Sequence, residues 1–215
     1  MTHDATSLAA RIGASARELA ELRPTIEAGE PWPLAERYGD EPEATWGPRE
    51  VLAHLAEMLP FWLGETERIL AAGSATPFRP ATGATDPAAR VPAAPRPGAV
   101  EWPPEASAPP SFGRVASDPL RIGTIGRDRS LPLRELFDRI DVGVERWLRR
   151  LATLGEPDLA RIGRHPTLGE LSVGAVIERF VAGHLEEHVG QLRSLLRSVT
   201  REPPDRSPEP SGGSR

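Results

Sequence analysis

Between Leu133 and Leu154 the apolar residues Leu133, Phe137, Ile140, Val144, Trp147, Leu151 and Leu154 fall four and three apart without a break. Only a helical turn of about 3.6 residues brings such positions onto one face, so the segment is committed to a helix with a narrow inward seam. The spacing predicts a helix from about Leu131 to Leu154, with Gly155-Glu156-Pro157 as its stop. A seam of this kind must be buried against other elements. Three further stretches carry the same period.

The first runs from about Ser7 to Ala28, through Leu8, Ile12, Ala16, Leu19, Leu22 and Ile26, with Gly29 as its stop and Pro24 bending or ending its last turns. Glu30 to Ala44 holds three prolines and reads as a connection with one short turn near Leu34 to Tyr38. A second helix is predicted from Pro48 to about Ala72. Gly47 is an acceptable N-cap, Pro48 suits the first helical position, and Glu50 favours the positive end of the dipole. Val51, Leu55, Met58, Leu59, Trp62, Leu63, Ile69 and Leu70 form its inward face, with His54 at the edge and Pro60 imposing a bend. The last helix is predicted from Val173 to Val199, capped by Ser172. No strand-like alternation stands out anywhere.

From Gly73 to about Ser130 the period stops, and eleven of the chain's 24 prolines lie there. So long a connection is either functional or mobile. Its first part, to about Pro110, reads as an extended wrap or a disordered excursion with Phe78 and Trp102 as anchors. Its second part is richer in arginine and apolar residues and is a candidate to fold over the mouth of a site. Arg114 and Arg121 are candidates there for contacting an anionic substrate or cofactor, the alternative being solvated surface charges. Residues 201–215 are Pro, Ser, Gly and charge, as in a disordered tail. The reading is therefore an all-α chain with one domain over residues 1–200. It is a four-helix bundle with a long proline-rich crossover, residues 74–129, between its second and third helices.

The chain of 215 residues has no cysteine, and all 26 of its basic residues are arginine. Disulfides, thiolate metal ligands, a cysteine nucleophile and a lysine Schiff base are all excluded, and a bound ion must sit on nitrogen and oxygen. A net charge of −5 argues against a general nucleic-acid surface. No apolar stretch approaches the length of a membrane span, and the N-terminus lacks a secretory pattern, so the expectation is a soluble, cytoplasmic protein.

Two of the five histidines, His184 and His188, stand four apart on the inward side of the last helix. Both rings project from one face and can reach a single ion. The bland alternative is a pair of core imidazoles, each bonded to a carbonyl or carboxylate. If the second and fourth helices are neighbours, His54 joins the pair, and three neutral imidazoles leave the ion's other positions to water or substrate. Zinc and nickel suit such a donor set best, with iron and manganese also compatible. Glu57, one turn beyond His54, is a candidate to orient that ring or serve as a base, or else is a helix-face glutamate. His165 precedes the last helix and is a candidate for the rim of the site.

The passage Trp46-Gly47-Pro48-Arg49-Glu50-Val51-Leu52-Ala53-His54-Leu55-Ala56-Glu57 resembles the second-helix motif of the DinB-like superfamily. The passage His165-Pro166-Thr167-Leu168-Gly169-Glu170-Leu171, followed by His184-x-x-x-His188-x-x-Gln191, is similar to that superfamily's closing helix. In order and spacing the resemblance covers most of residues 5–199, leaving out the proline-rich insert. It implies a four-helix bundle, often a homodimer, with a divalent metal on the positions of His54, His184 and His188. Some relatives are thiol-dependent transferases or isomerases using mycothiol, bacillithiol or glutathione. The implied chemistry is a metal-activated thiol or water attacking a small electrophilic substrate, as in a transferase, isomerase or hydrolase. The competing expectation is a non-catalytic metal-binding or stress-response interaction module.

Overall fold

The computed structural model describes residues 4–34, 43–72 and 108–201. The first helix, α1, spans Ala5–Ala28, and Asp4 caps it by accepting from the Thr6 and Ser7 amides. A 3₁₀ turn, Glu43–Thr45, leads into α2, Pro48–Ala72, whose start and end are those predicted. Then follow α3, Pro119–Asp128, α4, Leu133–Leu151, and a single turn α5, Glu156–Leu159. A short hairpin pairs β1, Ile162–His165, with β2, Gly169–Ser172, in antiparallel register from Ile162 opposite Ser172 to His165 opposite Gly169. The last rod is α6, Val173–Ile177, a π-helical turn Glu178–Ala182, and α7, Gly183–Arg201. Ser172 caps it as predicted, accepting from the Ala175 amide at 3.2 Å.

All seven residues of the seam in and after α4 are buried. They fill the space between α1 and α2, both of which pack on α4; α1 also lies against α7, and α2 against α3 and the α6–α7 rod. At Gly143 a Cβ would meet the Leu59 side chain at 2.9 Å, so only glycine lets α4 come this near to α2. Trp147, with no exposed surface, donates its indole N–H to the Leu59 carbonyl at 2.9 Å, leaving its one polar atom satisfied within the core.

Three local expectations fail. Residues 119–128 form α3 where an irregular run was expected. Asp118 accepts from the Leu120 and Arg121 amides and Pro119 takes the first helical position, so the local capping signal outweighs the surrounding proline content. The stretch before the last rod holds the hairpin, its turn closed by Gly169 at φ +75°. Gly155-Glu156-Pro157 does not only stop α4, which ends at Leu151; it starts α5. Residues 73–107, with the proposed anchors Phe78 and Trp102, lie outside the described residues, as does the tail from residue 202. Among the described residues no helix is long and apolar enough to cross a membrane.

Candidate metal centre

The second and last long helices are neighbours, and their histidines meet. His54 on α2 is buried, as is His188 on α7, while the His184 side chain keeps about a quarter of its surface (24%) open. The Nε2 of His184 lies 2.9 Å from that of His54 and 3.1 Å from that of His188. One residue that periodicity did not single out completes the group. Glu43, in the 3₁₀ turn before α2, brings Oε2 to 3.4 Å from His188 Nε2 and 3.6 Å from His184 Nε2. One ligand atom from each of the four residues fits within a span of 4.8 Å.

Hydrogen bonding assigns the direction of the lone pairs. The Gln191 amide donates to the carbonyls of Glu43 and Trp46 at 2.7 and 3.2 Å, so its oxygen is left to accept from His188 Nδ1 at 2.9 Å. The proton of His188 is thereby on Nδ1, and its Nε2 presents a lone pair to the cluster. A single proton on His184 Nε2 can make one good bond, to His188 or to His54. The second close N···N contact is then left without one. A cation at the centre satisfies all three nitrogens together, and the donor set, three imidazoles and a carboxylate, suits a divalent ion.

The other two rings are backed by carboxylates. His54 Nδ1 faces Glu57 Oε2 at 3.8 Å, with both atoms buried and neither in a hydrogen bond, and His184 Nδ1 faces Glu187 Oε2 at 3.7 Å. Burial, reinforced by Arg121 and the neighbouring imidazoles, holds His54 well below its ordinary pKa. Burial and His188 lower His184 to about 4. Burial alone would raise Glu43, yet the His188 ring beside it and the charges of Arg121 and, when they carry protons in acid, of His54 and His184 bring it to about 2. At neutral pH His54 and His184 are therefore neutral and Glu43 is ionised, the forms that bind a metal.

Arg114 and Arg121 reach this shell from the segment between α2 and α4. The backbone at Pro110–Phe112 pairs with Arg164, and Gly113, at φ +79°, donates its amide to Glu65. That geometry delivers Arg114 over the Phe61 ring, 3.7 Å from its centroid, and onto Glu57 Oε1. Arg121, buried on α3, donates to the Ala116 carbonyl at 3.1 Å and to Glu43 Oε1, and lies over Trp46. Each arginine thus pairs with a carboxylate that faces the histidines.

His165 stands apart. Its ring is buried among Phe112, Trp62 and Phe180, with centroids at 5.5, 6.4 and 5.3 Å. Its Nδ1 accepts from the amides of Thr167 and Leu168, both at 3.3 Å. Trp62 lies eight residues past His54 on α2, about 12 Å along the helix. His165 packs on these aromatic rings and is not one of the four residues whose ligand atoms converge. Burial lowers its pKa.

A family model described as the DinB superfamily matches residues 17–192. The chain belongs to the DinB superfamily. No curated protein and no solved structure matches it. The match to the DinB superfamily spans Glu43, His54, His184, His188 and Gln191, so the whole cluster lies within the family's own region. Gln191 was visible in the sequence as part of the closing motif, but its role needed the backbone carbonyls of a distant turn. Glu43 carried no sequence signal: it lies among prolines in a stretch without period.

Proposed function

We propose that this DinB superfamily chain is a metal-dependent enzyme on a four-helix bundle, with a divalent ion, zinc or nickel, held by His54, His184 and His188. The observation that carries the reading is the convergence of three Nε2 atoms, each from a ring whose Nδ1 faces an oxygen. When bound, such an ion supplies Lewis acidity that favours the anionic form of a low-molecular-weight thiol or of water. The protein's own groups do the rest. Glu43 Oε2, ionised at neutral pH, accepts a hydrogen bond from the incoming thiol or water and orients it while its proton passes to solvent, and Arg121 fixes that carboxylate through its other oxygen. Gln191 holds the tautomer of His188, and Glu57, clamped by Arg114, orients His54. With no cysteine in the chain, any sulfur nucleophile comes from a cosubstrate such as mycothiol, bacillithiol or glutathione, and the reaction is transfer to, isomerisation of, or hydrolysis of a small electrophile. A homodimer in the cytoplasm belongs to the same reading.

A second reading follows from Glu43 itself. If its carboxylate is a permanent fourth ligand, the set is closed within the protein, as structural sites are, and the chain is a non-catalytic metal-binding module. Glu43→Gln separates the two. For a group that orients the nucleophile, metal content measured by elemental analysis on tag-free protein stays at the wild-type level while thiol-dependent turnover falls about 100-fold or more. For a permanent ligand, metal content falls. Trace metal in the wild type, unchanged by His184→Ala, would remove both readings.

A further inference from the structure

The charges around the histidines have an unusual balance. Imidazoles that ligate a metal do so in the neutral form, so the three rings contribute no charge. The carboxylate of Glu43 is paired with the guanidinium of Arg121, and that of Glu57 with Arg114. These four side chains are between 8% and 30% exposed, so both pairs are substantially shielded from water. One turn before His54, the buried Glu50 is likewise paired, with Arg129 at 3.0 Å. The remaining acidic neighbour among the described residues, Glu187, is 75% exposed, and its charge is screened by solvent. Among the described residues the shell is therefore neutral toward whatever occupies its centre.

A divalent ion in a neutral, partly buried shell keeps both of its positive charges. Such a centre gains most from an anionic partner, because an opposite charge is worth far more in a shielded site than in water. Had Arg114 and Arg121 been apolar, the two carboxylates would neutralise the ion themselves and a neutral ligand would serve as well.

On the basis of the metal reading above, we propose that Arg114 and Arg121 act as charge-cancelling positioning residues that reserve the centre for a small anionic ligand, a carboxylate or a thiolate. The entry side is set by exposure. His184 and Glu43 are the members of the cluster open to solvent, at 24% and 30%, while His54 and His188 lie at 4% and 2%. The ligand accordingly approaches between α7 and the 3₁₀ turn.

The test uses the full chain loaded with Co²⁺, whose visible spectrum reports on the ligands, titrated with acetate and, as the neutral counterpart, with imidazole. Arg121→Gln leaves the Glu43 carboxylate uncancelled and is expected to weaken acetate about tenfold while moving imidazole less than about twofold. Arg121→Gln combined with Glu43→Gln restores the balance, and acetate binding is expected to return to within about threefold of the wild type. If Arg121→Gln does not fold, Arg114→Gln, which frees Glu57, carries the same expectation. Acetate and imidazole weakening together, or acetate unmoved by loss of either arginine, would overturn the proposal while leaving the metal reading intact. Failure of Co²⁺ to bind the wild type would overturn both.

Discussion

Two groups of buried histidine in this molecule are handled in opposite ways. His165 is enclosed by Phe112, Trp62 and Phe180, and its Nδ1 is bonded locally by the Thr167 and Leu168 amides, two and three residues away. His54, His184 and His188 come from two helices 130 residues apart in sequence and point the same nitrogen at one another. Both environments bury imidazole, and burial lowers the pKa of His165, His54 and His184 alike. Burial therefore does not mark the site. The mark is lone pairs that converge, with every Nδ1 turned outward to an oxygen.

The strongest way to break this comparison is to remove one histidine from each group. His184→Ala is expected to weaken Zn²⁺ binding by about a thousandfold in a chelator competition, since one donor of a multidentate set is lost. His165→Ala should leave Zn²⁺ affinity within about twofold and instead cost about 2 kcal/mol in urea unfolding, for the cavity and the two lost amide bonds. Equal losses of Zn²⁺ affinity would erase the distinction drawn between the two groups.

Acid sharpens it next. His184 titrates near 6.5 in the unfolded chain and at about 4 in the folded protein, so the unfolded state binds more protons between those values. Stability of the metal-free protein is fully present above pH 6.5 and declines as pH falls toward 4, by about 3 kcal/mol from this group. His54 is depressed in the same sense and adds to the decline. Glu43, lowered from 4.5 to about 2, extends the loss below pH 4.5. Urea unfolding of metal-free protein at pH 7, 5.5 and 4.5 tests this, and a midpoint that does not move over that range would contradict the neutral, buried imidazoles.

The smallest expected effect is at Gln191. Gln191→Met keeps the volume but releases the proton of His188 Nδ1, and Zn²⁺ affinity is expected to drop about tenfold with no loss of fold. An unchanged affinity would mean that the tautomer of His188 is fixed by something other than this amide.

The long helices were legible in the sequence because a buried face repeats with the turn. Leu133 through Leu154 gave α4 almost unaided, and Gly47-Pro48 gave the start of α2. The i, i+4 pair His184 and His188 was legible for the same reason, and their meeting with His54 required only that α2 and the last rod be adjacent. What escaped was held by contacts distant in sequence. Glu43 owes its place to Arg121, 78 residues away; Arg114 was a candidate from the sequence, but its pairing with Glu57 rests on a parallel pairing with β1 and a left-handed glycine. Such contacts leave no period for a sequence reading to find. The hairpin escaped because its strands are four residues each, too short for alternation to register.

The π-helical turn Glu178–Ala182 carries a consequence for how this chain tolerates length changes. Val173, Ile177, Val181, Leu185 and Val189 are all essentially buried and step by four throughout. In an uninterrupted α-helix each such step drifts about 40° around the axis, which over this run would carry the last residue far off the core. Winding one extra residue into a single turn takes up about 100° of that drift and keeps His184 and His188 toward His54. A shortening by one residue inside Glu178–Ala182 would thus relax to ordinary winding with both rings still facing α2, whereas the same deletion between His184 and His188 would turn one of them away.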